Sequence, residues 1–147
     1  MRVVNKRAKH DYQLLDKIEA GIALTGAEVK SVLEGKIHLE EAYARIIQGE
    51  LFLINAHIHP YRFADTSKLD PKRTRKLLVH KKEIVSLASK IKQKKLTLIP
   101  VSCYNKGRKI KLKLALAKAK KKYEKKEAKK RRDIEREIER ELRNKLT

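Results

Sequence analysis

His57 and His59 stand two residues apart, a spacing that turns both imidazoles to the same side of a strand and could hold a metal. Two ligands with no cysteine nearby fall short of a metal site, so the pair is read as barrel surface. Glu40 and Glu41 are adjacent and would face opposite ways on a strand, which rules out a shared acid/base dyad. Cys103 alternates with apolar neighbours and reads as a small core residue. There is no glycine-rich phosphate loop, no nucleophile elbow and no cluster of cysteines and histidines at metal spacing. These residues point to no catalysis, no cofactor and no metal.

Charge is the strong signal. The 147 residues carry 39 Lys+Arg against 18 Asp+Glu, a formal net charge of +21. Such an excess repels itself in the folded state and suits a polyanionic partner. Three basic runs could hold phosphates by charge and forked hydrogen bonds. The first is Asn5-Lys6-Arg7-Ala8-Lys9-His10, the second Asp70-Pro71-Lys72-Arg73-Thr74-Arg75-Lys76, and the third Lys120-Lys121-Lys122-Tyr123-Glu124-Lys125-Lys126. With two Phe, five Tyr and no Trp, the chain has few rings on which to stack single-stranded bases. Recognition of a folded RNA by shape and backbone fits better.

The elements that must carry these runs are mostly strands. Tyr12, Leu14, Ile18, Ala20, Ile22 and Leu24 share one parity, interrupted at Asp16, and Gly21 marks a bulge or bend. Thr25-Gly26-Ala27-Glu28 is a capping-box pattern that opens a helix through Val29, Val32 and Leu33 to Gly35. Strands over 42–47 and 51–58 flank a Gly49 turn. Residues 60–76 read as a long basic loop. Ile84, Leu87, Ala88 and Ile91 predict a second helix. A last hairpin joins Leu96–Tyr104 to Lys109–Ala117, with Lys109, Lys111 and Lys113 in a row on its outer face. The expected fold is mainly β: a small antiparallel barrel of the oligonucleotide-binding (OB) type with flanking helices.

Composition changes near residue 118. Residues 1–117 hold 25 basic and 11 acidic side chains and all the Gly and Pro, and are expected to form the barrel. Residues 118–147 form a basic, helix-prone tail. Its first half, 118–132, holds ten basic and two acidic side chains. Ile134, Ile138, Leu142 and Leu146 make a stripe one residue wide, too thin to hold a free helix to a core, so the tail is expected to be disordered alone and ordered on a partner. One cysteine excludes an internal disulfide, no apolar run approaches the roughly 20 residues of a membrane span, and the N-terminus turns polar at once. A cytoplasmic protein with no membrane partner is expected.

Several segments resemble the small protein B family, the tmRNA-binding proteins of bacterial trans-translation. They are Asn5-Lys6-Arg7-Ala8, Ile18-Glu19-Ala20-Gly21-Ile22, Leu24-Thr25-Gly26-Ala27-Glu28-Val29-Lys30-Ser31, Asn55-Ala56-His57-Ile58, Asp70-Pro71, Arg75-Lys76-Leu77-Leu78 and His80-Lys81-Lys82-Glu83-Ile84, in family order over nearly the whole chain. The resemblance implies an OB-type barrel that binds the tRNA-like part of tmRNA, stands in for its missing anticodon arm and helps rescue stalled ribosomes. It carries RNA contact onto Asn5, His10, Glu19 and Arg75-Lys76-Leu77, to which the basic runs and motifs add Lys6, Lys30 and Arg73. Glu19 is unexpected from charge alone, but a carboxylate can accept from base amino or imino groups and so select among RNAs. The resemblance also implies a tail that enters the decoding region and contacts ribosomal RNA, through Lys120, Lys121, Tyr123, Lys125 and Lys126. Where the family often has Gly-Lys-Lys and, two residues on, Asp-Lys-Arg, this chain has Ala119-Lys120-Lys121 and Glu124-Lys125-Lys126, which keeps the charge. The implied partners are tmRNA and the ribosome, with a monomer off the ribosome. The rival reading of another class is a ribosomal protein or assembly factor held permanently on ribosomal RNA; an RNA-modifying enzyme lacks a catalytic constellation.

Overall fold

Apolar alternation organises the chain into nine strands and four helices in the computed structural model, which describes residues 1–63, 70–120 and 122–146. Side chains of residues 121–128, 131 and 145–147 are outside that description. In order, the elements are β1 (Arg2–Val4), α1 (Ala8–Asp11), β2 (Tyr12–Ile22), α2 (Gly26–Leu33), β3 (Ile37–His38), β4 (Tyr43–Ile47), β5 (Glu50–Ile54) and β6 (His57–Ile58). There follow β7 (Arg75–Leu78), α3 (Lys81–Lys94), β8 (Thr97–Lys106), β9 (Lys109–Ala119) and α4 (Lys122–Leu146).

Six strands close into an antiparallel ring, β8-β4-β5-β7-β2-β9, with β9 returning to β8. Closure removes the free edges that an open sheet would expose. β1 takes over the edge of β8 where β4 leaves it: Ala44 faces Leu98, while Val4 faces Ser102. β3 and β6 form a separate two-stranded sheet. The inward positions fill the barrel with Leu51, Leu53, Leu98, Cys103, Leu112 and Leu114, all at most 1% exposed. Each buried Leu contributes roughly 1.5–3 kcal/mol. This is the expected OB-type barrel with flanking helices.

Both helices form where expected. The Thr25 hydroxyl accepts from the Glu28 N–H while the Glu28 carboxylate accepts from the Thr25 N–H, the reciprocal capping box. That fixes the start of α2 and turns Val32 into the core. Leu87 anchors α3, with Ile91 packed beside it.

Three elements differ from expectation. The bulge in β2 lies between Leu14 and Lys17, not at Gly21. The extra residue there accounts for the broken parity at Asp16. Gly21 answers a different need, since a Cβ on it would stand 3.3 Å from the Leu78 Cβ on the neighbouring strand. The strand expected over 51–58 breaks at Asn55, whose φ of 63° is left-handed, into β5 and β6. The loop expected over 60–76 ends sooner, because Arg75 and Lys76 already belong to β7; part of that loop, residues 64–69, lies outside the described residues. The tail is the helix α4, and its Ile134, Ile138 and Leu142 are each about half exposed. No helix among the described residues is long and apolar enough to cross a membrane.

Cys103 is fully buried, and burial pushes its thiol up to about 12. A maleimide or disulfide reagent at pH 8 should therefore label the native chain far more slowly than the urea-unfolded chain. Equal rates would place Cys103 outside the core.

Candidate RNA interface

Strand register places one set of side chains on the outside of β7, β2, β9 and β8. Leu78 stands opposite Gly21, Gly21 opposite Lys111, and Lys111 opposite Tyr104. One step along, Glu19 lies opposite Lys113, and Lys109 opposite Lys106. Residues two apart on a strand share a face, so Lys76, Glu19, Lys109, Lys113 and Lys106 join this surface. The lysines of β9 follow each other at about 7 Å. Leu78, 54% exposed, lies among them over the space that Gly21 leaves.

Glu19 is held in place within this basic surface. It accepts a hydrogen bond from the Tyr104 hydroxyl and another from Lys106 Nζ at 3.1 Å. Those two bonds, Tyr104 first, keep its carboxyl below the usual 4.5. Burial, and then the bond to Glu19, push the Tyr104 phenol up to about 12, so it stays a donor at neutral pH. The result is an ionised acceptor of fixed direction among ammonium groups, able to take a base N–H while the lysines hold phosphates. The lysine row was legible in the sequence; Tyr104 and Lys106 were missed. The signal was parity, since a buried Cys103 turns Tyr104 and Lys106 to the opposite side.

The other expected residues fall into three groups. Arg75 and Leu77 are on the inner side of β7, 1% and 2% exposed, with Lys76 outward and paired to Glu50 at 3.2 Å. Arg75 Nε donates to Glu28 Oε2 at 2.8 Å, Nη1 to the Ala56 carbonyl at 2.6 Å and Nη2 to the Pro71 carbonyl at 2.9 Å. Arg73 closes on the same carboxylate from the surface side, its Nε at 3.2 Å and its Nη2 on Oε1. Burial alone would push the Glu28 carboxyl up; hydrogen bonds from Arg73, the Thr25 N–H and Arg75 outweigh it and hold the group below 4.5. These two arginines, read from the sequence as RNA contacts, are committed to Glu28. Lys30, on α2, is exposed with its ammonium 5.4 Å from the Tyr61 ring centre.

The second group surrounds Asn5, which is 5% exposed. Its Nδ2 donates to the carbonyls of Leu39 (3.1 Å) and Pro100 (2.8 Å), and its N–H to Val101 at 2.8 Å, where β8 bulges after Pro100. Its Oδ1 accepts from the Arg7 N–H at 3.2 Å. Asn5 thus sets the direction of the exposed Lys6 and of α1, which presents His10 bonded to Asp11 at 2.8 Å.

The third group is the tail. Lys120 is tied to α1, its N–H to the Asp11 carbonyl at 3.1 Å and its Nζ to the Lys9 carbonyl at 2.9 Å. Lys121 lies outside the described residues. Tyr123, Lys125 and Lys126 lie on α4, with side chains outside the description. The structure also brings to His57 and His59 a third imidazole, His38, from across the small sheet. It lies nineteen positions before His57 in the sequence, so spacing alone did not show it.

The chain matches the SmpB protein family over residues 2–144. It belongs to that family. The SsrA-binding protein of Carboxydothermus hydrogenoformans is 51% identical over 119 residues, covering 81% of this chain and 80% of the relative. That of Desulforamulus reducens is 49% identical over 120 residues, covering 81% and 74%. A solved structure described as "tmRNA-SmpB: a journey to the center of the bacterial ribosome" superposes with a TM-score of 0.68 at 46% identity, over 82% of this chain and 85% of that one. The barrel and its site therefore belong to an SmpB fold.

Removing one partner of a buried ion pair costs about 3–5 kcal/mol. Arg75→Met should lower urea-measured stability by that amount, whereas Lys76→Met should stay within about 0.5 kcal/mol. The Glu28 carboxyl is depressed in the folded state, so its contribution is full above 4.5 and is lost as pH falls through the folded value. Glu28→Gln should be less stable at pH 7 and lose less on going from pH 5 to 3 than the parent. Parallel acid profiles would show that Glu28 does not titrate with unfolding.

Proposed function

We propose that this chain binds the tRNA-like part of tmRNA and brings it to stalled ribosomes for tagging of incomplete peptides. It acts in the cytoplasm as a binding protein, without catalysis of its own. The observation that carries the reading is Glu19, an oriented carboxylate set by Tyr104 and Lys106 in the lysine surface of β9, in a chain of the SmpB family. The lysines supply phosphate contacts and Glu19 supplies selectivity. Lys76 and Leu78 extend the surface. Arg75, Leu77 and Asn5 serve RNA by holding β7 and α1 in position rather than by touching it. Lys6 and His10 form a second basic patch beside the root of the tail.

The relative in the solved complex sits with tmRNA in the bacterial ribosome, which supports a division of labour along the chain: the barrel holds tmRNA and the tail engages ribosomal RNA. In α4 the apolar stripe leaves Ile134, Ile138 and Leu142 half exposed, so the helix has little of its own barrel to rest on. Lys120, Lys121, Lys125 and Lys126 bring charge for ribosomal phosphates, and Tyr123 a ring for stacking.

Glu19→Ala makes the chain more basic yet should weaken tmRNA binding about tenfold, while binding to elongator tRNA or duplex DNA stays weak throughout. A gain in tmRNA affinity with the fold intact would contradict the role of Glu19. Affinity should fall with salt by about 0.7–0.9 log units per log unit for each phosphate neutralised. A chain ending at Lys120 keeps the contacts of Lys120 with α1 and should still bind tmRNA but fail to support tagging on stalled ribosomes. Full tagging by the shortened chain would remove the tail from the mechanism.

A further inference from the structure

Three of the five histidines meet on the small β3–β6 sheet. His38 ends β3 and pairs across the sheet with His57, which opens β6. His59 shares the side of His57, and its N–H donates to the Lys36 carbonyl at 3.1 Å, extending the pairing one residue further. Backbone bonds therefore fix where all three imidazoles arise. Ring centres are 4.8 Å apart for His57–His59, 5.6 Å for His38–His59 and 5.8 Å for His38–His57. One ligand nitrogen from each lies within 4.8 Å of the other two.

A tetrahedral ion with bonds of about 2.0–2.1 Å places its ligand nitrogens about 3.3 Å apart. The nitrogens must close from as much as 4.8 Å to that spacing, and His38 and His59 are exposed, with room for their rings to turn. His57 supplies a separate observation: its Nδ1 is buried without a hydrogen-bond partner. Buried polar atoms are rarely left unpaired, and an orphan nitrogen beside two other imidazoles is a place for a ligand. Glu40 and Glu41 line the same cleft and offer oxygens for a fourth position or for orienting an imidazole. They also offset Arg7 and Lys72, the cations on its rim.

We propose that His38, His57 and His59 form a three-imidazole site for zinc, completed by water or by a carboxylate of Glu40 or Glu41. Imidazole sets favour zinc, nickel and copper over magnesium and calcium. The site would clip β3 to β6 beside the Ala56 carbonyl that Arg75 holds and beside Ile58, whose N–H donates to the Pro71 carbonyl at 3.0 Å. Zinc would then stiffen the segment that carries β7, raising the melting temperature with free ion concentration.

The test titrates the untagged, metal-stripped full chain with zinc chloride alone, with magnesium chloride as comparison. Calorimetry gives stoichiometry and affinity; imidazole resonances give the ligands. The expected result is one zinc per chain, with His38, His57 and His59 resonances shifting, those of His10 and His80 unmoved, and no response to magnesium. His38→Gln and His59→Gln change exposed residues, so both should fold as the parent does. Each should weaken zinc binding by at least roughly 10–100-fold, the loss typical of a mere outer-shell partner. Absence of saturable zinc binding, undiminished affinity in both variants, or equal response at His10 and His80 would overturn the proposal.

Discussion

The Glu28 carboxylate, 3% exposed and held between Arg75 inside and Arg73 at the surface, ties α2 to β7 and to the segments around Ala56 and Pro71. It completes the capping box that starts α2. Through Arg75 it fixes β7 as the strand between β5 and β2, and the same guanidinium anchors the carbonyls of Ala56 and Pro71. A guanidinium in a barrel interior is tolerable only with its charge paired and its N–H groups satisfied. Arg75 meets both conditions, and its forked geometry reaches three segments at once. Without it β7 would have two inward positions and only Leu77 to fill them.

Position follows from that tie. With Arg75 and Leu77 turned in, Lys76 and Leu78 are turned out and complete the surface that Glu19, Tyr104 and the lysines of β9 begin. The inner and outer sides of one four-residue strand thus differ: one specifies the barrel, the other presents Lys76 and Leu78 to solvent. Asn5 plays a similar part at the opposite edge, where its amide bridges the bulge in β8 and the Leu39 carbonyl and so directs Lys6 and α1. Residues that the family resemblance marks for RNA contact therefore divide into exposed ones and the buried Asn5, Arg75 and Leu77, which hold the segments carrying them.

Period-two alternation made the long strands legible. β2, β8 and β9 lie close to where the pattern put them, and the capping box announced the start of α2 at Thr25. What stayed hidden had three separate causes. Arg75 at an inward position made β7 look like basic loop. Asn55, with its left-handed φ, split what read as one strand. His38 reached the other histidines only through pairing across β3 and β6, which no local spacing encodes. Tyr104 and Lys106 were within reach of parity reasoning, since Cys103 just before them was already assigned to the core, but their contact with Glu19 crosses strands far apart in sequence.

The central claim is that tmRNA lies against the outer side of β7, β2, β9 and β8. Lysine acetylation read by mass spectrometry, on the free full-length chain and on its tmRNA complex, addresses it directly. Lys76, Lys106, Lys111 and Lys113 should lose reactivity in the complex, while Lys81, Lys82 and Lys90 on α3 should keep theirs. Protection of the α3 lysines with the β9 row left reactive would contradict the account.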